Sequence, residues 1–402
     1  MPSLASKLEV LGTTCAFDIS APQPEIRKSL YRSARLGQNS EYQPQSREQI
    51  LEKTGECCIY PAVTGQGGGG QTTPIFKALL SNACSHSCKY CFTHCARQKV
   101  TFTSEEYAKT FAQFYQQGKV TGVFISSGIL RGDPDYTTEL MLEAVRLIRE
   151  KYNFGGYVHF KCLPGVSYDL LRQAVRFANR ISVNLEAPSA ERLASIAEEK
   201  DFQRDLITRQ EWIRDLIIKG GFPSGHTTQF VVGASGESDE EILSCVDWEY
   251  KHVRLRRAYY SGFTPLKGTP MEHHPETPPA REHRLYMADF LLRQYGIPFQ
   301  EFRQVFTNAG LLPRGDPKLH LARVFFDPHE TVDVNEAPHE LLIRVPGIGL
   351  RSAQRILAMR EQHQLIRNTR QLHEIGVNLG KSLPFLSIQG HRQLSLEAYF
   401  FN

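Results

Sequence analysis

The sequence predicts an α/β fold: an open, partial (β/α)6 barrel followed by a small all-α domain. Three observations lead to it. Between residues 74 and 263 short apolar runs alternate with amphipathic stretches, three cysteines crowd the loop after the first of those runs, and a Pro-Gly-Ile-Gly turn separates two helical patterns near the C-terminal end. Strand–helix alternation implies a parallel sheet with right-handed crossovers. About six such units make an open form of the α/β barrel, in which chemistry sits at the carboxyl ends of the strands.

Bulk composition bounds the remaining possibilities. A chain of 402 residues, 41% hydrophobic and 22% charged, has the make-up of a soluble globular protein of two or three domains. No run of about 18 apolar residues marks a membrane span. The start, Met1-Pro2-Ser3-Leu4-Ala5, lacks the regions of a secretory signal, so a cytoplasmic protein is expected. A net charge of +4 permits a polyanionic partner without indicating one. The nine cysteines are odd in number and clustered, which argues against a disulfide scaffold and for a metal site or reactive thiols.

Taken in order, residues 1–73 form a mixed lead-in that ends in the run Thr64-Gly65-Gln66-Gly67-Gly68-Gly69-Gly70. No lysine follows these glycines, so the run reads as a flexible loop and not as a phosphate loop. The barrel is expected over 74–263. Its strands are expected at Ile75–Leu80, Val123–Ser126, Tyr157–Lys161, Ile181–Leu185, Thr228–Val232 and Arg257–Ser261, with helices near 104–117, 137–151, 167–179, 203–219 and 238–252. Ser238-Asp239-Glu240-Glu241 has the spacing of a capping box. Residues 264–329 read as a connector, in which the proline-rich Pro270–Pro279 leads into a helix over Ala280–Tyr295. The last domain is expected over 330–402.

The loop after the first strand reads Asn82-Ala83-Cys84-Ser85-His86-Ser87-Cys88-Lys89-Tyr90-Cys91, a C-x₃-C-x₂-C spacing with an aromatic residue before the third cysteine. Three thiolates on one tight loop can ligate three irons of a 4Fe–4S cluster and leave the fourth open. The competing ligand set is structural zinc, since Cys95, His86 and His94 are close in sequence. Zinc sites of that sort usually pair two knuckles across a longer insert, whereas this loop caps the first α/β unit, where catalysis is expected.

These residues resemble the radical S-adenosylmethionine superfamily, which is defined by this three-cysteine loop. Val123–Gly128 stands where the superfamily places the stretch that receives the methionyl amino group, which implies cofactor contacts for Ser126, Ser127 and Gly128. Phe263–Pro270 resembles the stretch after the sixth strand. Asn184 and Glu186 stand where ribose and carboxylate contacts often lie. The resemblance implies two cofactors, a 4Fe–4S cluster on Cys84, Cys88 and Cys91 and S-adenosyl-L-methionine. It also implies a chemistry, reductive cleavage to a 5′-deoxyadenosyl radical that takes a hydrogen atom from the substrate.

His159 and Lys161 alternate on the third strand and so share one face, with Gln229, Tyr259 and Ser261 expected beside them in the lumen. Interior Lys or His is costly unless paired, which leaves a site role and a satisfied internal network as the alternatives. Cys162 reads as a buried small side chain, a hydrogen-atom donor or a second-cluster ligand. Cys15, Cys57 and Cys58 are candidates for an additional cluster, and Cys95 reads as a bystander.

Near the C-terminal end, Asp333–Leu357 carries Asn335 as a candidate N-cap, Pro346 and Gly347 as a helix stop, and Gly349 as the start of the next helix. Amides at that start, flanked by Arg351 and Arg355, make an anion site. The stretch resembles the helix-hairpin-helix of DNA repair and uptake proteins, which implies backbone contacts through Gly347, Ile348, Gly349, Arg351 and Arg355. Leu372–Val377 looks like a second, degenerate hairpin packed on the first. Such a module reads DNA backbone, with a non-specific Kd of about 10⁻⁴–10⁻⁶ M. Together, the Lys7–Leu11 lead-in, Leu79–Cys84, Ser126–Gly128, Arg281–Tyr286 and the hairpin resemble one subfamily over nearly the whole chain, the radical S-adenosylmethionine proteins of DNA modification or repair. That resemblance implies action on a base or sugar of DNA. The partners it implies are DNA, a uracil-DNA-glycosylase-like protein and an electron donor such as flavodoxin or ferredoxin. A tRNA-modifying enzyme and an iron–sulfur redox sensor that binds DNA without turnover are the alternatives.

Overall fold

A computed structural model describes residues 2–16, 58–63, 72–96, 98–220 and 225–392, with only the backbone of His94 and Cys95. The glycine-rich run at 64–70 and Cys57 lie outside the described residues. The chain divides into two compact units. One runs to Glu237 and resumes over Trp248–Glu282, and the other comprises Ser238–Asp247 and the chain from His283 onward.

The first unit holds α1 (Leu4–Ala16), β1 (Ile59–Val63), β2 (Thr72–Leu79), α2 (Phe92–Cys95), α3 (Ser104–Gln116), β3 (Gly122–Ser126), α4 (Pro134–Glu150), β4 (Tyr157–Lys161), α5 (Tyr168–Phe177), β5 (Arg180–Ser182), α6 (Ala190–Ile196), α7 (Thr208–Gly220), β6 (His226–Val232), α8 (Asp239–His252) and β7 (Arg257–Gly262). The last residues of α8 belong to this unit and its first turns to the other. The seven strands lie in sequence order in one curled sheet, and β2 to β7 are all parallel. The six expected α/β units are therefore present, with β1 added antiparallel on the edge of β2. Every residue of β3 is buried, as expected of a strand covered on both faces.

Local signals set the helix starts. Thr103 and Glu106 exchange reciprocal hydrogen bonds of 3.1 and 2.8 Å to cap α3. The expected box before α8 forms as well, with Glu241 N–H donating to Ser238 Oγ at 3.1 Å and Ser238 N–H donating to Glu241 at 2.7 Å. β2 and β6 start earlier than expected, at Thr72 and His226, and β5 ends at Ser182 and not at Leu185. Beyond it the Leu185 amide donates to the side chain of Thr228 at 3.1 Å, and Glu186 turns to φ +66°, so the regular ladder stops.

The second unit adds α9 (Pro279–Tyr295, whose first turn belongs to the other unit), α10 (Phe299–Phe302), α11 (Pro317–Phe325), β8 (Val332–Asp333), α12 (His339–Leu342), α13 (Leu350–Glu361), α14 (Thr369–Glu374), α15 (Leu379–Ser382), β9 (Leu386–Ile388) and β10 (His391–Arg392). Its core packs Val334, Leu342, Val345, Ile348, Ile356, Ile366, Leu372 and Val377, and β8, β9 and β10 close it with a short sheet. Asn335 does not cap a helix here. Pro338 precedes α12, and the Asn335 amide instead donates to the Ile366 carbonyl and accepts the Ile366 N–H, at 2.9 and 2.8 Å. Pairing with a distant backbone segment satisfies both ends of the amide, which a cap would not. Among the described residues no helix is long and apolar enough to cross a membrane.

Candidate active site

The cysteine loop springs from the carboxyl end of β2 and is pinned at its base. Asn82 is fully buried; its side chain donates to Gln98 at 2.9 Å and accepts the Val100 amide at 2.8 Å, while its own N–H donates to the Val100 carbonyl. The loop is thus closed by one amide side chain. Cys88 and Cys91 lie on a tight turn closed by Cys91 N–H to Cys88 O at 3.0 Å. Cys84 Sγ accepts the Ile129 amide at 3.3 Å, which ties the loop to the end of β3.

That junction explains Gly128. A Cβ at this position would lie 2.4 Å from the Ala83 carbonyl oxygen and 2.9 Å from Cys84 Cβ, so only glycine lets the 126–128 turn nest against the cysteine loop. Cys84, Cys88 and Cys91 line one open cavity of about 190 Å³ together with Ser126, Ser127, Gly128, Asn184 and Glu186. All eight residues expected to bind cluster or cofactor therefore meet at the carboxyl ends of the strands. Ser127 donates to the Gly128 carbonyl at 2.8 Å, and Ser126 and Asn184 are buried.

Lys200 was not signalled by the sequence. It also lines the cavity, where it pairs with Glu186 at 3.3 Å and reaches Tyr90 Oη at 3.3 Å. Both partners of the ion pair are buried, and Glu186 holds a left-handed backbone that side chains adopt at a cost. Glu186 and Tyr90, the aromatic residue inside the cysteine motif, were the sequence signals for this triad. Of the other lumen candidates, Lys161, Gln229 and Ser261 line the cavity. His159 hydrogen-bonds Ser182 Oγ at 2.9 Å and packs edge-on against Phe124, so it belongs to an internal network.

Burial, opposed by Lys200, pushes the Cys88 thiol up to about 11, and burial raises Cys91 as well. Buried thiols of this kind become thiolates when metal displaces their protons. Each cysteine thiolate on an iron–sulfur cube takes a different iron, so the three need not converge on one point. Among the described residues no three His, Cys, Asp or Glu side chains form a group able to hold one metal ion. Cys162 lines the cavity, donates to the Leu163 carbonyl at 3.5 Å, and is pushed up to about 12 by burial. Cys15 and Cys58 are buried near Tyr107, and neither lines the cavity.

In the second unit, Gly349 caps α13 and Gly347 stands at φ +86°. A Cβ on Gly347 would lie 2.3 Å from the Asn378 carbonyl, and the Asn378 amide donates to Gly347 O at 2.9 Å. The expected second hairpin thus packs on the first, and Ser352 Oγ joins them at Gly376 O, 3.0 Å away. Ile348 is buried, with its amide donating to Val345 and its carbonyl accepting from Lys318. Arg351 is exposed, and Arg355 is exposed while donating to Ile375 O at 3.1 Å.

Comparison with known proteins agrees with both halves. Residues 79–248 match the Radical SAM superfamily and residues 327–380 match the helix-hairpin-helix motif. No curated protein matches. Similar solved structures include the [FeFe]-hydrogenase maturase HydG (12% identity, TM-score 0.42, 53% of this chain and 48% of that one). Others are methylornithine synthase PylB (15%, 0.42, 72% and 76%) and a radical SAM methyltransferase from Sphaerobacter thermophilus (14%, 0.42, 63% and 80%). The chain spans about half the length of the HydG maturase it matches. Radical SAM superfamily members use a 4Fe–4S cluster and S-adenosylmethionine. The chain carries a radical SAM superfamily domain over residues 79–248 and a helix-hairpin-helix motif over residues 327–380.

Proposed function

We propose that this protein is a radical S-adenosylmethionine enzyme that modifies or repairs a base or sugar of DNA. The observation that carries the reading is a helix-hairpin-helix motif on the same chain as a three-cysteine cavity. Cys84, Cys88 and Cys91 would hold the cluster, and Ser126, Ser127, Gly128, Asn184 and Glu186 would hold S-adenosylmethionine. When bound, the pair supplies a carbon radical able to abstract hydrogen. The chain's own task is then positional. Lys200 fixes Glu186 in the cavity wall, and the Asn82 staple fixes the cysteine loop. The hairpin amides and Arg351 and Arg355 hold phosphate, so tethered DNA is concentrated near the barrel. A base inside a duplex cannot enter a barrel mouth, so an extruded or unpaired nucleotide is the substrate form. A flavodoxin- or ferredoxin-like electron donor and a uracil-DNA-glycosylase-like protein are the proposed partners.

The test is anaerobic reconstitution followed by quantification of 5′-deoxyadenosine with and without duplex, nicked or lesion-bearing DNA. Product that rises with DNA and vanishes in the Cys84→Ala, Cys88→Ala, Cys91→Ala variant is the expected result. Stimulation by tRNA alone would reassign the substrate to RNA. An intact cluster with DNA affinity but no product under proven reduction would leave a sensor.

A further inference from the structure

A buried lysine stands behind the hairpin turn. Lys318, in the first turn of α11, is 8% exposed, and among the described residues its ammonium is paired with no carboxylate. Asp316, which caps the same helix, is bonded instead to the Lys381 ammonium at 2.7 Å and to the Lys318 backbone N–H at 3.0 Å. The Lys318 ammonium has neighbours of another kind. It donates to the Ile348 carbonyl at 2.5 Å and sits 4.6 Å from the centre of the Tyr295 ring. One carbonyl and one ring face replace little of the water that a charge gives up on burial. Burial accordingly lowers Lys318 to about 7, with Asp316 opposing and Lys381 assisting.

The peptide that the ammonium holds lies at the centre of the turn. Among the described residues every peptide bond is trans, so the Ile348–Gly349 unit points its C=O and its N–H in opposite directions. The carbonyl faces the buried lysine, and the Gly349 N–H therefore faces away from it. Among the described residues that N–H donates to no other group, whereas the neighbouring Ile348 N–H is already bonded to Val345. Tyr295 Oη, 3.8 Å from where a Gly349 Cβ would stand, backs the same peptide. An ammonium behind a peptide and an anion in front of it polarise the unit in the same sense, as in any chain of hydrogen bonds. Gly349 also opens α13, whose dipole favours an anion at that end.

We propose that Lys318 is a positioning residue for phosphate recognition, its buried ammonium orienting and polarising the Ile348–Gly349 peptide so that the Gly349 N–H takes a phosphate oxygen. It rests on the nucleic-acid reading above and adds to the turn a charge that its surface does not display. The charged lysine binds anion better, so affinity is full below about 7 and fades as pH rises past it. By reciprocity, phosphate draws a proton onto Lys318 by the same factor. The titratable groups facing the ammonium are Asp316 on its own helix, Lys381 on α15 and Tyr295 on α9, which burial raises. Pro346 to Leu350, on the turn itself, supply none.

The experiment measures fluorescence anisotropy of a labelled DNA duplex on the full-length protein between about pH 6 and about pH 9, across the loss of the charge. It compares wild type with Lys318→Met, Lys318→Arg and the hairpin variant Arg351→Ala/Arg355→Ala. At about pH 6 Lys318→Met is expected to bind about fivefold or more weaker than wild type, and the gap should narrow as pH rises. Lys318→Arg stays charged throughout, so its advantage over Lys318→Met should not change with pH. Histidines of the same unit titrate alike in all four proteins and cancel in these ratios. Calorimetry in buffers of different ionisation enthalpy should show more proton uptake on binding by wild type than by Lys318→Met. No gap overturns the proposal, and so does a gap constant across pH, the mark of a merely structural lysine. If near-ultraviolet circular dichroism shows Lys318→Met misfolded, wild type and Lys318→Arg carry the test, and equal pH profiles in those two overturn it. Duplex binding that the arginine pair weakens but Lys318 does not affect removes this inference and keeps the nucleic-acid reading. A wild type that binds no duplex at low salt removes both.

Discussion

Gly128 shows how much one missing methyl group decides. Its Cβ position is filled by the Ala83 carbonyl and Cys84, so Gly128→Ala must push the cysteine loop outward. The variant should fold yet reconstitute far less cluster, measured by iron content and visible absorbance per chain. The Lys200–Glu186 pair makes a second prediction. Removing the ammonium in Lys200→Met leaves a buried carboxylate alone, at a cost of roughly 3–5 kcal/mol, visible as a lower urea midpoint; Lys200→Met/Glu186→Gln should recover most of it. A third concerns buried groups behind the sheet. Glu249 and His226 are fully buried, and among the described residues their polar side-chain atoms have no hydrogen-bond partner. Burial raises Glu249 to about 8, with the nearby Gln210 opposing weakly, and lowers His226 to about 3. A raised carboxyl favours folding while protonated, so its contribution is full below the unfolded value and fades as pH rises toward 8. A lowered histidine works the other way, and its contribution fades as pH falls from about 6.5 toward 3. Glu249→Gln should therefore flatten the alkaline loss of stability, and His226→Phe the acid loss, in urea midpoints taken across pH. Cysteine spacing was legible in the sequence because chemistry fixes it. Lys200 was not, because a lone lysine carries no sign of the carboxylate it will meet.

Among the elements, the helix starts were readable because a cap is a local bargain between a side chain and amides three residues away, as at Ser238 and Glu241. The end of β5 was not, since Thr228 on a neighbouring strand supplies the oxygen that ends its ladder. Asn335 misled for the same reason: its partner, Ile366, is 31 residues away. The hairpin pair yields a prediction at this scale. Gly347 needs both its positive φ and its missing Cβ against Asn378. Gly347→Ala should cost at least about 1–3 kcal/mol in the second unit and should loosen α15 in hydrogen exchange. Asn335→Ala leaves the Ile366 N–H and carbonyl unpaired, for about 1–3 kcal/mol, without touching the hairpin turn.

For the whole molecule, the proposal is that a weak phosphate-reading module serves a barrel that does the chemistry. Arg351→Ala/Arg355→Ala should then raise the DNA concentration that half-stimulates deoxyadenosine formation and reduce the salt slope by about 0.9 per lost contact. The rate at saturating DNA should stay near wild type. A fall in the saturated rate with no change in half-stimulation would show instead that the arginines act on the chemistry. By itself the sequence determined the six-unit alternation, the three-cysteine loop, the serine–glycine turn and the hairpin glycines. Each is a local pattern of spacing or a backbone demand that only certain residues meet. Only the tertiary structure decided that Lys200 closes on Glu186, that β1 adds an edge to the sheet, and that Arg180 reaches Tyr259 across a strand. Those contacts join residues far apart in the chain, and they depend on how the sheet curls, a property no single segment encodes.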